Sequence, residues 1–98
     1  MLEKFVAEII GTFIFLSVIM ISVSNSDKSL AWLKIGLALS VCILLIGSVS
    51  GGHMNPAVSL MFYLNNSITS NELGTYMIGQ FIGAALAYNY YLHTIKPN

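Results

Sequence analysis

The sequence predicts an all-α membrane protein with three transmembrane helices and one re-entrant half-helix. Of its 98 residues, 56% are hydrophobic and 8% are charged, against about 25% charged residues in a typical soluble domain. Three long apolar segments, at about residues 5–23, 30–49 and 73–92, approach the roughly 20 residues that a helix needs to cross a bilayer. A polar stretch and a short apolar run, at about residues 50–64, separate the last two segments.

The first segment, residues 5–23, carries a single charged residue, Glu8. A secretory signal is an alternative for an apolar run near an N-terminus. However, this run is longer than the roughly 7–15 apolar residues of a signal core, and no small-residue cleavage site follows it. The segment therefore predicts a transmembrane helix.

The second segment, residues 30–49, begins with Trp32 and Lys34 in its first turn. An indole and a long ammonium side chain both suit the membrane interface. Cys42 lies in the uncharged remainder, and a free cysteine of this kind is typically a small buried side chain. We expect a second transmembrane helix with Cys42 packed inside the protein.

The polar stretch interrupts the chain where a further span would otherwise begin. Asn55 and Pro56 favour a helix start, because asparagine is a good N-cap and proline suits the first helical position. The apolar run that follows, residues 56–64, is roughly 14 Å long as a helix, against about 30 Å of hydrocarbon. The pattern predicts a re-entrant loop and a half-helix over residues 50–64.

The last apolar segment, residues 73–92, predicts a third transmembrane helix, which Ser70 or Asn71 is expected to cap. Small residues recur four apart along it, at Gly79, Gly83 and Ala87, and they make a face on which another helix can approach closely. Three tyrosines near its end are typical of an aromatic belt at the membrane interface: Tyr88, Tyr90 and Tyr91.

The polar stretch predicts a pore as well as a bend. Non-helical backbone at membrane depth is costly unless it is buried in protein or lines a water-filled cavity. Gly51 and Gly52 allow a backbone that turns its carbonyls one way, and Asn55 adds an amide donor. The N-terminus of the half-helix carries about +0.5 of a charge. Aimed into a pore, it repels cations and leaves neutral solutes unaffected.

Other classes of function find little support in the residues. Asn-Pro at a helix start is common in soluble proteins, and a single histidine such as His53 is more often hydrogen-bonded than a ligand. No cysteine, aspartate or second histidine stands at metal-ligand spacing, and no nucleophile–base pair stands out. Because the formal net charge is zero, nothing indicates nucleic acid. We expect no catalytic residue, no metal and no cofactor.

Three motifs carry a resemblance to a known family. The chain resembles the N-terminal half of an aquaporin or, more broadly, of a major intrinsic protein. Its polar stretch matches the first Asn-Pro-Ala signature of that family almost letter for letter, and two further motifs resemble the family's first and third helices. The three motifs are Ser50-Gly51-Gly52-His53-x-Asn55-Pro56-Ala57-Val58-Ser59, Ala7-Glu8-x-x-Gly11-Thr12 and Gly79-Gln80-x-x-Gly83-Ala84.

The resemblance implies a channel for water or small neutral solutes such as glycerol, with its N-terminus in the cytoplasm. It implies that the Asn55 amide, at the head of the Asn55-Pro56-Ala57 signature, faces the conduit. The carbonyls of Gly51, Gly52 and His53 would face it too.

The resemblance also assigns a wall and its supports. Phe15 and Leu39 would be apolar wall of the pore. Glu8 would be buried and would accept hydrogen bonds from the backbone of the loop, with Gln80 in a similar bracing role. For Glu8 the alternative is a charge near a helix end that extends to the interface.

The sequence departs from the family pattern in three respects. Ile35 stands where water-selective members usually have an aromatic residue, and Ser48 replaces a common histidine. The second Asn-Pro-Ala repeat and the filter arginine are missing, and the pore of the family needs two inverted repeats. The substrate therefore stays open, and the expected partners are the bilayer, a neutral solute, and a second repeat or another copy.

Two alternatives to an incomplete channel follow. A non-conducting half-channel could pack on full-length relatives through Gly79 and Gly83. Two copies could also assemble antiparallel and rebuild the pore. Such dual topology requires a weak charge bias, and the four lysines give no clear one: Lys4 lies on one side, with Lys28, Lys34 and Lys96 on the other.

Overall fold

A computed structural model describes residues 1–97 as a bundle of α-helices without a strand among them. The helices are α1 (Leu2–Ser24), α2 (Ala31–Ser50), α3 (Pro56–Leu64) and α4 (Ser70–Tyr90), and a π-helical turn (Tyr91–Ile95) continues α4. The all-α prediction is confirmed. Each helix lies over one of the four predicted apolar segments.

Two of these helices, α1 and α2, are long and apolar enough to cross a membrane, by length and composition. Helix α4 has the length, with 21 residues, but its tyrosines, its glycines, Gln80 and Asn89 lower its mean hydropathy. Helix α3 has nine residues, as expected of a half-helix.

Helix α1 lies at the centre and packs against both α2 and α4, while α3 packs against α4. Gly79, Gly83 and Ala87 are all buried, and the two glycines allow a close contact with α1. A Cβ atom built on Gly83 would stand 2.8 Å from the carbonyl oxygen of Ile9, and one built on Gly79 would stand 3.1 Å from that of Phe5. We call this contact the α1–α4 seam.

An apolar cluster lies between α1, α2 and the loop that precedes α3. It consists of four buried side chains: Ala7, Cys42, Ile46 and Met54. Cys42 is 1% exposed, so the prediction that it is a packed side chain is confirmed. The cluster sets the loop against the inner faces of α1 and α2.

The cap of α4 differs from the sequence prediction. Thr69, and neither Ser70 nor Asn71, is the N-cap. Its side chain accepts from the Glu72 N–H at 3.1 Å, and the Glu72 carboxylate accepts from the Thr69 N–H at 3.0 Å. This reciprocal capping box satisfies two orphan donors, which Ser70 or Asn71 at the N-cap would not do, because neither has Glu or Gln three residues on.

Candidate functional site

The loop of residues 51–55 leaves α2 in a left-handed conformation. Gly51 ends the helix at φ 88°, and its N–H donates to the Gly47 carbonyl at 2.9 Å. Gly52 follows at φ 67°, and Met54 also has a positive φ, 53°. Glycine adopts such angles readily, whereas any other residue loses roughly 1–2 kcal/mol. The two glycines indicate this backbone in the sequence, and Met54 does not.

Glu8 of α1 accepts four hydrogen bonds around this loop. Its Oε2 accepts from Ser50 Oγ at 2.6 Å and from the His53 N–H at 3.1 Å. Its Oε1 accepts from the Met54 N–H at 2.7 Å and from Gln80 Nε2 at 3.0 Å. The side chain is 0% exposed, so it does not extend to the interface. Hydrogen bonds to charged groups contribute about 1.5–3 kcal/mol each, enough to offset the strain at Met54.

Helix α4 supplies two more side chains to the same network. Gln80 Nε2 donates to Ser59 Oγ at 2.8 Å as well as to Glu8. The Tyr76 hydroxyl donates to the Ser50 carbonyl at 2.8 Å. The network therefore joins α1, the end of α2, α3 and α4 around one carboxylate.

His53 is enclosed by aromatic rings. It stacks on Phe62 with ring centroids 4.8 Å apart and meets Tyr76 edge-on at 4.7 Å. Its Nδ1 lies 2.9 Å from Ser59 Oγ. The imidazole is thus a hydrogen-bonded, packed side chain. Among residues 1–97 no group of three His, Cys, Asp or Glu side chains could hold a metal ion.

Asn55 caps α3 and Pro56 begins it, as the sequence predicts. The Asn55 Oδ1 accepts from the Ala57 N–H at 2.9 Å. The amide nitrogen of the same side chain makes no hydrogen bond within the described chain, and the residue is exposed. It is therefore free to donate at the N-terminus of α3.

Four consecutive carbonyls of the loop accept no hydrogen bond from residues 1–97. They belong to Gly51, Gly52, His53 and Met54. Backbone carbonyls in folded proteins are nearly always paired with protein or with water. These four oxygens are therefore available to water or to another donor from outside residues 1–97.

A groove of about 340 Å³ opens beside Asn55 and Pro56. Its walls are mostly apolar side chains of α1 and α4, with polar groups only at Thr12, Asn55 and Gln80. Phe15, which the resemblance assigns to the pore wall, lies in this groove.

The other predicted wall residues lie elsewhere. Leu39, like Phe15, packs against the apolar cluster, and Ile35 is half-buried on α2 outside the groove. Gly51 and Ala57 are exposed, whereas Gly52 and His53 are buried.

Three side chains of this site have no role predicted from the sequence: Met54, Ser59 and Tyr76. Ser59 lies four residues after Asn55, and Tyr76 lies four before Gln80. Residues four apart share one helix face, so this spacing could have indicated both.

An ion pair closes the N-terminal ends of α1 and α4. Lys4 Nζ lies 2.6 Å from Glu72 Oε2. The Lys4 ammonium and the Thr69 N–H lower the pKa of the Glu72 carboxyl to about 2. The same carboxylate raises the pKa of Lys4.

Comparison with known proteins extends over nearly the whole chain. The family described as Major intrinsic protein matches residues 1–97. Glycerol uptake facilitator protein-like 6 of Lactiplantibacillus plantarum is 36% identical over 88 residues, which are 88% of this chain and 41% of that protein. Aquaporin AqpM of Methanothermobacter marburgensis is 36% identical over 92 residues, which are 87% of this chain and 37% of that protein. The chain thus spans about two fifths of the length of these relatives.

Proposed function

Because the chain belongs to the major intrinsic protein family, we propose that it forms one half of the wall of a membrane channel for water or small neutral solutes. Three helices, α1, α2 and α4, cross the bilayer in this proposal, and the loop with α3 enters it halfway. Members of the family are integral membrane channels rather than enzymes. The names of the relatives include both a glycerol facilitator and aquaporins.

The observation that carries the proposal is the row of four carbonyls without a partner in the described chain. Such groups persist at membrane depth only where water or a polar solute reaches them. A permeating molecule that loses its hydrating water molecules can donate a hydrogen bond to each carbonyl in turn. Glu8 supports this backbone from behind, since it uses the N–H groups of His53 and Met54.

The N-terminus of α3 supplies the selectivity against ions. Asn55 holds it with one side-chain oxygen and keeps its amide nitrogen free, so a solute oxygen meets a donor there. The helix dipole adds a positive potential at the same point. Cations and protons are repelled, and neutral molecules pass.

The apolar side of the conduit is formed by Phe15, Ile35 and Leu39 in this proposal. An apolar wall opposite a row of acceptors fits a small neutral solute that has one polar and one apolar side. Isoleucine at position 35 leaves more room than an aromatic ring. For this reason we do not restrict the solute to water, and we expect Ile35→Phe to slow glycerol more than water.

A second wall must close the conduit, and we propose that a second inverted repeat supplies it. The groove beside Asn55 and Pro56 is open on one side in the described chain, so another surface has to cover it. A non-conducting half and an antiparallel pair of copies are the competing arrangements.

Cysteine labelling tests the wall directly. In a Cys42→Ser background, single cysteines at Phe15 and Leu39 are treated with a small water-soluble thiol reagent in vesicles of phosphatidylcholine and phosphatidylglycerol that hold this chain together with a second inverted repeat of the family. Leu44, which is 79% exposed on α2, is the matched position that faces lipid in this proposal. We expect labelling at Phe15 and Leu39 and none at Leu44. Equal labelling at all three positions would contradict a water-filled conduit on this side.

Osmotic shrinkage of vesicles of the same lipids separates the arrangements. Vesicles with this chain alone should shrink no faster than empty ones if a second repeat is required. Faster shrinkage, abolished by Asn55→Asp or accompanied by ion leak in that variant, would instead support a pore made of two copies.

A further inference from the structure

We propose that Glu8, Gln80 and Ser59 fix His53 as the neutral tautomer with its proton on Nε2, so that the ring presents an N–H donor beside Gly51. The functional meaning rests on the proposed function, because it makes His53 a specificity-determining donor at the entrance of the conduit. The tautomer itself follows from the directions of the hydrogen bonds.

The chain of directions starts at Glu8. Both of its carboxylate oxygens face a backbone N–H, of His53 and of Met54, at 3.1 and 2.7 Å. A backbone N–H can only donate, so both oxygens accept. The Gln80 amide therefore turns its NH₂ group toward the Glu8 carboxylate at 3.0 Å, and this orientation leaves Gln80 Oε1 buried without a partner within residues 1–97.

The second hydrogen of the Gln80 amide goes to Ser59. Gln80 Nε2 lies 2.8 Å from Ser59 Oγ, so the Ser59 oxygen accepts. The hydroxyl has one hydrogen left to donate, and its only other partner within residues 1–97 is His53 Nδ1 at 2.9 Å. Ser59 is 0% exposed. If Nδ1 carried a proton, the Ser59 hydrogen would have no acceptor, and an unpaired buried donor is costly.

Ser59 therefore donates to Nδ1, and in the neutral ring the proton is then on Nε2. Nε2 has no hydrogen-bond partner in the described chain. The atom is not fully buried, so a molecule from outside can reach it. It lies next to Gly51, where a Cβ atom would be 3.4 Å away. Phe62 and Tyr76 fix the plane of the ring.

The consequence is a donor at the start of a row of acceptors. Gly51 is exposed, and its carbonyl and the next three lack partners in the described chain. A solute that enters here can offer an oxygen to His53 and hydrogens to the carbonyls. A solute with acceptors alone gains only the first of these contacts. The entrance therefore presents one donor, His53 Nε2, ahead of a row of acceptors.

Nitrogen NMR of the whole chain in phosphatidylcholine vesicles reads the tautomer. The sequence has two histidines, His53 and His93, and a His93→Gln variant assigns their signals. We expect His53 Nδ1 at the position of an unprotonated imidazole nitrogen and Nε2 at that of a protonated one. A protonated Nδ1, in the other tautomer or in the imidazolium, would overturn the proposal. This spectrum does not depend on conduction, so it can fail while the labelling of Phe15 and Leu39 succeeds, and the reverse.

Substitutions test whether Ser59 sets the tautomer. Ser59→Ala should shift both His53 nitrogens toward the averaged positions of a mixed tautomer, and Ser59→Thr should preserve the original spectrum. Ser40→Ala is the matched control, because the Ser40 hydroxyl donates to the Gly36 carbonyl in its own helix and has no other partner among the described residues. An unchanged spectrum in Ser59→Ala would show that the relay is not the cause. If that variant does not fold, the wild-type spectrum still decides the tautomer.

Discussion

Two stretches of backbone approach α1 closely, and they are stabilised in opposite ways. On one side, the loop of residues 51–55 is held by polar groups that converge on the buried Glu8 carboxylate. On the other side, the α1–α4 seam depends on the absence of side chains, with Gly79 and Gly83 against the backbone of α1. At the seam the two helix backbones meet without a large side chain between them, whereas the loop also packs Met54 against α1 in the apolar cluster.

The difference follows from what each segment does with its own backbone groups. The residues of α4 pair their N–H and C=O groups within the helix, so the seam needs only shape. In the loop, the N–H groups of His53 and Met54 find no acceptor in their own segment, so they need one on a neighbour. A carboxylate can serve several of them at once. The loop should therefore be sensitive to loss of charge and the seam to gain of volume.

Glu8→Ala should destabilise the loop, and with it the protein, more than any other substitution considered below. Two backbone N–H groups lose a charge-assisted bond of about 1.5–3 kcal/mol each, so we expect a loss of about 3–6 kcal/mol in the free energy of unfolding. Unfolding in mixed detergent micelles measures it. Glu3→Ala, at an exposed position of the same helix, should change it by less than about 0.5 kcal/mol. Similar losses in both variants would contradict a special role of Glu8.

Gly83→Ala should destabilise the protein by disturbing the α1–α4 seam. The new Cβ would meet Ile9 O and Thr12 Cβ at 2.8 Å, so the helices must move apart, at a cost of about 1–3 kcal/mol. Gly74→Ala is the matched control on α4, because a Cβ atom added there would meet no side chain or other helix of the described residues within 4 Å. It should stabilise by about 0.5–1 kcal/mol through helix propensity. The same unfolding assay applies, and a tolerated Gly83→Ala would mean that the seam is loose.

Asn55 tests the far end of the loop. Asn55→Ala removes the N-cap of α3 and should cost about 1 kcal/mol. Asn55→Asp keeps an acceptor for the Ala57 N–H and should retain most of that stability while it adds a charge at the conduit. Hydrogen exchange at the Ala57 amide measures the cap. Fast exchange in both variants would show that the side-chain oxygen is not what protects this amide.

The smallest effect is expected at the ion pair between Lys4 and Glu72, the one that links α1 and α4 within residues 1–97. The folded pKa of Glu72, about 2, lies below its ordinary value of 4.5. Its contribution to stability is therefore complete above about pH 4.5 and is lost as the pH falls toward 2. Glu72→Gln should flatten this part of the pH profile. Lys4 remains charged throughout this range, so a slope that persists in Glu72→Gln must come from another carboxyl group.

Much of the fold could be predicted from residue patterns that act locally. Apolar length marked the helices, and Asn55-Pro56 marked the start of α3 because capping and proline geometry involve only neighbouring residues. The N-cap of α4 was predicted wrongly because local preference alone does not choose among neighbouring residues that all cap well. Ser70, Asn71 and Thr69 are all good caps, and only the reciprocal bond to Glu72 selects Thr69.

The candidate site was predictable only in part. Gly51 and Gly52 indicated a left-handed backbone. Met54 also adopts a positive φ, although methionine has no preference for one. Its N–H bond to Glu8 spans 46 residues of sequence. Contacts at such separations leave no local pattern, and the partners of Ser59 and Tyr76 are of the same kind.

By itself, the sequence determined that the chain is helical and apolar, that one break divides it, and that a half-helix begins at Asn55. These properties follow from side-chain hydrophobicity and backbone preference, which are local. Only the tertiary structure decided which groups the buried carboxylate serves, which glycines touch α1 and which carbonyls stay free. Each of these depends on the relative placement of helices distant in sequence, because a hydrogen bond or a close contact needs both partners within a few ångströms.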